Sequence, residues 1–136
     1  MLTRKIDPAV RNKLMDELPQ FCGTENYYRH ALCKNLVYTD GVKFLAETAG
    51  AYWLIDAIAS WQRECRQNAR LREMQFWRLE VRENSSAVLF CCEDSPITLE
   101  NAKVFQEIEY TDFPLDSIAL YACLGEQMTL MLPSEY

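Results

Sequence analysis

The sequence predicts an α+β fold in which N-terminal helices pack on a C-terminal antiparallel sheet of about four to five strands. Three observations predict it. Capped segments with helical spacing of apolar residues fill the chain to about residue 70, the apolar period changes to two from Met74, and the helices precede the strands instead of alternating with them. With 136 residues, 49% hydrophobic and 25% charged, the chain has the length and composition of one globular domain spanning residues 1–136.

Asp7-Pro8 reads as a helix start, cap first and proline in the first turn, followed by Val10, Leu14 and Leu18 until Pro19 breaks the pattern. A second helix is expected over residues 25–36, where Tyr28, Leu32 and Leu36 fall four apart. Tyr38-Thr39-Asp40-Gly41 is a further capped start, leading into Val42, Leu45 and Ala46, with Lys43 and Glu47 spaced to pair and Gly50 at the end. The longest helix is expected over residues 51–70, apolar on nearly every side at first, with one polar stripe of Tyr52, Asp56 and Ser60 that is either exposed or lines a cleft. For Asp56 the stripe implies exposure or pairing with an arginine.

Phe76–Arg82 alternates, with Trp77, Leu79 and Val81 on one face and Arg78, Glu80 and Arg82 on the other. Glu83-Asn84-Ser85 is a turn, and residues 86–92 are apolar on both faces, as in a central strand. Ile97–Ala102 suggests a short helical turn. Val104–Tyr110 reads as a third strand with Val104, Ile108 and Tyr110 inward, and Ile118–Cys123 with Met128–Leu132 as a hairpin around Gly125-Glu126-Gln127.

Gly23-Thr24-Glu25-Asn26-Tyr27-Tyr28-Arg29-His30, Tyr38-Thr39-Asp40-Gly41-Val42-Lys43, Ala49-Gly50-Ala51-Tyr52-Trp53-Leu54-Ile55-Asp56, the segment Glu107 to Leu115, and Leu132-Pro133-Ser134-Glu135-Tyr136 together resemble a small bacterial family of unknown function. The likeness covers nearly the whole chain. The resemblance implies one compact cytoplasmic domain and a setting in genomes, plasmids and phages, and it brings no agreed activity or catalytic residue.

Charge is unevenly distributed. Residues 93–136 carry nine carboxylates and one base, Lys103, whereas residues 1–92 carry 13 bases and 11 acids, for a net charge of -6. An acidic region repels phosphate and attracts basic partners. Glu107, Glu109, Asp112 and Asp116 are therefore candidates to bind a nucleic-acid-binding protein complex, and Arg63, Arg66 and Arg70, at i, i+3 and i+7, form the candidate basic strip. The acidic balance speaks against direct binding of nucleic acid.

The start, from Met1 to Pro8, lacks the apolar run of an export signal, and no stretch approaches the ~20 apolar residues that span a bilayer. A cytoplasmic protein is expected, with its six cysteines reduced. Cys22, His30 and Cys33 match no closed zinc pattern, so no metal and no cofactor is implied. His30 is the sole histidine and hence the natural general base. A pocket of Tyr28, Arg29, His30 and Asp40, with Asp40 orienting the imidazole, would suit a small enzyme or an anionic-ligand-binding protein. The plainer account of the same residues has Asp40 capping a helix. Lacking a catalytic motif, the sequence favours a non-enzymatic interaction protein, a phage or mobile-element counter-defence inhibitor acting through charged patches on a protein partner. A third reading is self-association through exposed Trp53, Trp61 or Trp77.

Overall fold

Asp7 and Pro8 start α1 (Pro8–Glu17) as their order dictates: the Asp7 carboxylate accepts from the Ala9 N–H at 2.9 Å, and proline, which has no N–H to lose, takes the first turn. The computed structural model describes residues 4–136; Met1 to Thr3, part of the start read above as lacking an export signal, lie outside the described residues. A 3-10 turn, Leu18–Gln20, follows α1. Leu14 and Leu18 are buried, as the spacing requires.

The chain then forms two strands instead of the helix expected over residues 25–36: β1 (Tyr27–Arg29) and β2 (Leu36–Thr39). The spacing of Tyr28, Leu32 and Leu36 imitates a helical stripe, but Leu32 stands exposed in the turn between the strands. The decisive partner is remote in sequence. Leu36, Val37 and Tyr38 pair in parallel with Met128, Thr129 and Leu130 of β7 (Met128–Met131), and the aromatic and β-branched residues suit that pleated site better than a helix.

Thr39 caps α2 (Asp40–Ala49), its hydroxyl accepting from the Val42 N–H at 3.3 Å, and Gly50 ends the helix in the left-handed conformation (φ 62°, ψ 39°). The helix expected over 51–70 is interrupted. It divides into α3 (Tyr52–Ser60) and α4 (Gln62–Cys65), and turns follow as far as Glu73. Asn68 is one reason: its side-chain oxygen captures the N–H groups of Arg70 (2.9 Å) and Leu71 (3.1 Å), a local bond that competes with the helical ladder.

The remaining strands are β3 (Met74–Val81), β4 (Ala87–Cys92), β5 (Ala102–Ile108) and β6 (Ser117–Leu124). The sheet has seven strands in the order β1-β2-β7-β6-β3-β4-β5 and is mixed, since β2 and β7 are parallel. This corrects the expected antiparallel sheet of four to five strands. Helices α2 to α4 also lie between strand segments of the chain, because β1 and β2 come before α2; α1 alone precedes every strand. The alternation in β3 and the apolar character of β4 are as read: Trp77 and Leu79 are buried, and every residue of β4 is buried. Residues 99–101 form the expected short turn. Tyr110 lies beyond β5 and is 72% exposed, not inward.

Helices α1 to α4 cover one sheet face, where Leu54, Ile55, Ile58, Trp77, Leu79, Leu89 and Leu130 form the core. The opposite face carries a smaller cluster of Val88, Phe90 and Cys92, with Phe76 and Ile97 packed against it. No helix among the described residues is long and apolar enough to cross a membrane. Trp77 is buried, while Trp53 and Trp61 are half-buried, so the three tryptophans expected to drive self-association are not displayed as a patch.

The helical layer is keyed to the sheet by a buried pair of amides. Gln62 and Gln75 exchange two bonds of 2.9 Å; Gln75 Nε2 also donates to Leu71 O, Gln62 Nε2 to Ile58 O, and Trp77 Nε1 to Gln75 Oε1 at 2.7 Å. Replacing Gln75 with Ala strands the indole N–H and half of Gln62 in the core. We expect a loss of about 3–5 kcal/mol in urea unfolding. The C-terminus is keyed as closely: Glu135 accepts from the Thr39 hydroxyl (2.6 Å), Gly41 N (3.2 Å) and Leu132 N (2.9 Å). A Cβ on Gly41 would stand 2.6 Å from both Glu135 Oε1 and Leu132 Cδ1, so Gly41→Ala should cost about 1–3 kcal/mol in the same measurement.

Candidate functional site

A cleft of about 680 Å³ opens between the β1–β2 turn and α3 and is lined by Ala31, Leu32, Cys33, Ile55 and Ala59 together with Arg29, His30, Tyr38, Tyr52, Asp56 and Ser60. The polar stripe of the sequence therefore lines a cleft, because residues four apart on α3 face the turn together. One wall comes from β2, whose alternation turns Tyr38 to the helical side, with its ring 5.6 Å from that of Tyr28.

His30 is buried, and both its nitrogens are committed. Nδ1 accepts from the backbone N–H of Leu32 (3.2 Å) and Cys33 (2.9 Å), which places the proton on Nε2, and Nε2 donates to Asp56 Oδ1 at 2.8 Å. The imidazole staples the turn to α3. No lone pair is left for a substrate proton, which removes it as a general base, and Cys33 cannot form a Cys/His dyad with a ring nitrogen already occupied by its own N–H. Asp56 pairs with this histidine and not with an arginine. Its side chain is 71% exposed, and its second oxygen has no donor among the described residues.

Asp40, expected to orient His30, does something else. It accepts from the Tyr28 hydroxyl (2.8 Å) and from the N–H groups of Glu25 (3.0 Å) and Asn26 (3.3 Å), clamping the loop before β1. The Tyr28 hydroxyl, with these N–H groups, holds its carboxyl at about 2, and the same bond raises the Tyr28 phenol. Arg29 lines the cleft, but its guanidinium is engaged by neighbours: it donates to the Lys34 carbonyl, and the Gln127 side-chain oxygen, in the amide orientation its neighbours require, accepts from Arg29 Nη2 at 2.7 Å. The expected Tyr28/Arg29/His30/Asp40 pocket is thus two separate clusters, and the cleft belongs to His30 with Asp56, Tyr38 and Tyr52.

Two carboxylates, Glu47 and Asp56, act on the phenols of the cleft, after burial. Burial raises the Tyr38 phenol, and the carboxylates of Glu47 and Asp56 raise it further; burial, then Glu47, raises Tyr52. The carboxylate contributions oppose an anion, whereas burial, the larger cause, opposes charge of either sign. A cation already sits on this aromatic wall from the α2 side, where Lys43 Nζ lies 4.4 Å from the Tyr28 ring centre.

The charged patches are largely interleaved. Asp116 pairs with Arg4 (3.2 Å) and Arg11 (3.5 Å), Asp94 with Arg70 (3.2 Å), and Glu107 with Arg82 through both oxygens (3.0 and 3.1 Å). Glu109 and Asp112 remain exposed. Arg63 lies in α4, Arg66 caps it and Arg70 is in the turn beyond, so the three do not form one helical strip. Cys65, Cys91 and Cys92 are buried free thiols, and the Cys65 thiol together with burial pushes Cys91 upward. No cluster of three metal-ligating side chains occurs among the described residues.

Residues 12–136 match the family of unknown function DUF6876, and the chain belongs to that family. No curated protein and no solved structure matches the chain.

The pH dependence of the Asp40 clamp follows from its direction. The folded carboxyl titrates at about 2 against 3.8 when unperturbed, so its contribution is complete above the unperturbed value and is lost as pH falls through about 2. Asp40→Asn should therefore lower the urea midpoint at neutral pH, and the gap from wild type should close on acidification toward pH 2.

Proposed function

We propose that the protein is a binding protein, not a catalyst, and that the cleft between the β1–β2 turn and α3 receives a small organic cation: an amine with an apolar body. The carrying observation is the Asp56 carboxylate, fixed by His30 through one oxygen and open through the other, beside the faces of Tyr38 and Tyr52. Aromatic faces and one carboxylate recognise an ammonium by cation–π attraction and a charge-assisted hydrogen bond. The volume and the mainly apolar lining are those of a small-molecule site. The carboxylates of Asp56 and Glu47, which act on these phenols after burial, support a cationic ligand over the anionic one that the sequence suggested.

The interaction reading connects to the same cleft. The exposed Asp56 would equally receive a lysine or arginine side chain from a basic protein, which is the route by which a mobile-element counter-defence inhibitor would engage a nucleic-acid-binding complex. Such a role rests on the resemblance and on the acidic balance of the chain.

Calorimetric titration with aromatic and aliphatic amines, their neutral isosteres, matched carboxylates and a lysine-rich peptide tests both. We expect amines to bind and carboxylates not to. Asp56→Asn keeps an oxygen for His30 Nε2–H and removes only the charge, so it should weaken amine binding roughly tenfold with the fold intact. Preference for carboxylates, or indifference to Asp56→Asn, would refute the assignment; binding of the peptide but not of free amines would assign the cleft to a protein partner.

A further inference from the structure

The sheet ends at β5, and among the described residues no strand pairs with its outer edge. Among the described residues the backbone bonds of residues 103–108 run to β4 alone. An unpaired row of N–H and C=O groups is a template for another strand, and folded proteins usually blunt it by shortness or an unmatched charge. The other edge strand, β1, is short, at three residues; β5 has seven. Its centre is Phe105, 61% exposed on the face away from the helices.

Glu107 stands two residues from Phe105 and on its face by the alternation of the strand; Lys103 is the extra residue of a bulge, since Val104 pairs with Cys91 and Ala102 with Cys92, and its charge acts on the Cys92 thiol of the cluster on that same face. Lys103, the one base after Cys92, would by itself be a blunting charge. Its spacing to Glu107 makes it self-complementary. Two copies of β5 laid antiparallel with Phe105 opposite Phe105 put Lys103 of each copy opposite Glu107 of the other, giving two ion pairs flanking an aromatic pair. On the helical face the same register sets Val104 against Gln106. A slip of two residues in either direction puts Phe105 opposite Lys103 or Glu107 instead, so one register is favoured. Leu99 and Tyr110, both exposed, flank the two ends of the strand, and the two-fold axis brings Leu99 of one copy toward Tyr110 of the other.

We infer that β5 is a homodimer interface, joining two seven-stranded sheets edge to edge about a two-fold axis through Phe105. Glu107 takes part while holding Arg82: its carboxylate, 59% exposed, has lone pairs beyond the two that Arg82 occupies. The contact is isologous, so it closes as a dimer and does not propagate.

Sedimentation velocity of the full chain over a concentration series tests this, with circular dichroism confirming the fold of each variant. Wild type should dimerise. Lys103→Glu and Glu107→Lys each set like charges opposite one another twice and should weaken the dimer roughly tenfold or more; Phe105→Lys, which leaves the Arg82–Glu107 pair alone, should do so too. An equimolar mixture of Lys103→Glu with Glu107→Lys restores both ion pairs and should regain the dimer as a heterodimer. A monomeric wild type at millimolar concentration, a dimer unchanged by these substitutions, or a mixture no better than its components would overturn the inference.

Discussion

The clasp between Gln62 and Gln75 is the constraint on which the rest of the molecule depends. Apolar burial is non-directional: the faces of α3 and of the sheet would tolerate sliding over one another at modest cost. A buried amide pair does not tolerate it, because donors and acceptors must all meet partners in one geometry. Here the pair reaches Ile58, Leu71 and Trp77 as well, so the end of the α3–α4 unit, the turn behind it and the central strand β3 are set by a single arrangement. Trp61 adds a second fixed point on the edge strand, its indole donating to Gln106 Oε1 at 2.8 Å. The third is His30 with Asp56, which reaches the opposite end of the sheet.

Those three tethers explain why a cleft exists where it does. Once α3 is fixed by its C-terminal end against β3 and β5, its Tyr52–Asp56–Ser60 stripe has to face the β1–β2 turn. His30 then holds that turn off the helix by one hydrogen bond's length, instead of letting the surfaces close. Fixing the imidazole also decides the chemistry: both nitrogens are consumed in holding geometry, and the group left open is the carboxylate. The site is therefore better suited to attract a positive charge than to move a proton.

What the sequence disclosed and what it concealed divide along contact range. Caps and breakers act within four residues, so Asp7-Pro8, Thr39 and Gly50 were legible, as was the period of two in β3, where one face meets the core and the other does not. The strand β2 was hidden because its partner β7 lies some ninety residues downstream, and β1 pairs with β2 alone; nothing local distinguishes a half-buried tyrosine strand from a helical stripe. Asp56 was visible as part of a polar stripe; its partner, 26 residues away, was not. Asn68, which stops the long helix, did leave a signal in its preference for capturing nearby N–H groups.

Part of the uneven charge along the chain is paired off by contacts of long range. Arg4 meets Asp116 across 112 residues, and its guanidinium also donates to the carbonyls of Phe113 and Leu115, so the first described residue is bonded into the acidic third. Glu135 returns the favour by bonding Thr39 and Gly41 at the start of α2. A mixed sheet assembled from both ends of a chain, here through the parallel pair β2–β7, brings opposite termini together, and a charge difference between those termini becomes attraction within the molecule. Asp94, Glu107, Asp116 and Glu135, part of a displayed surface in one dimension, serve as fasteners in three.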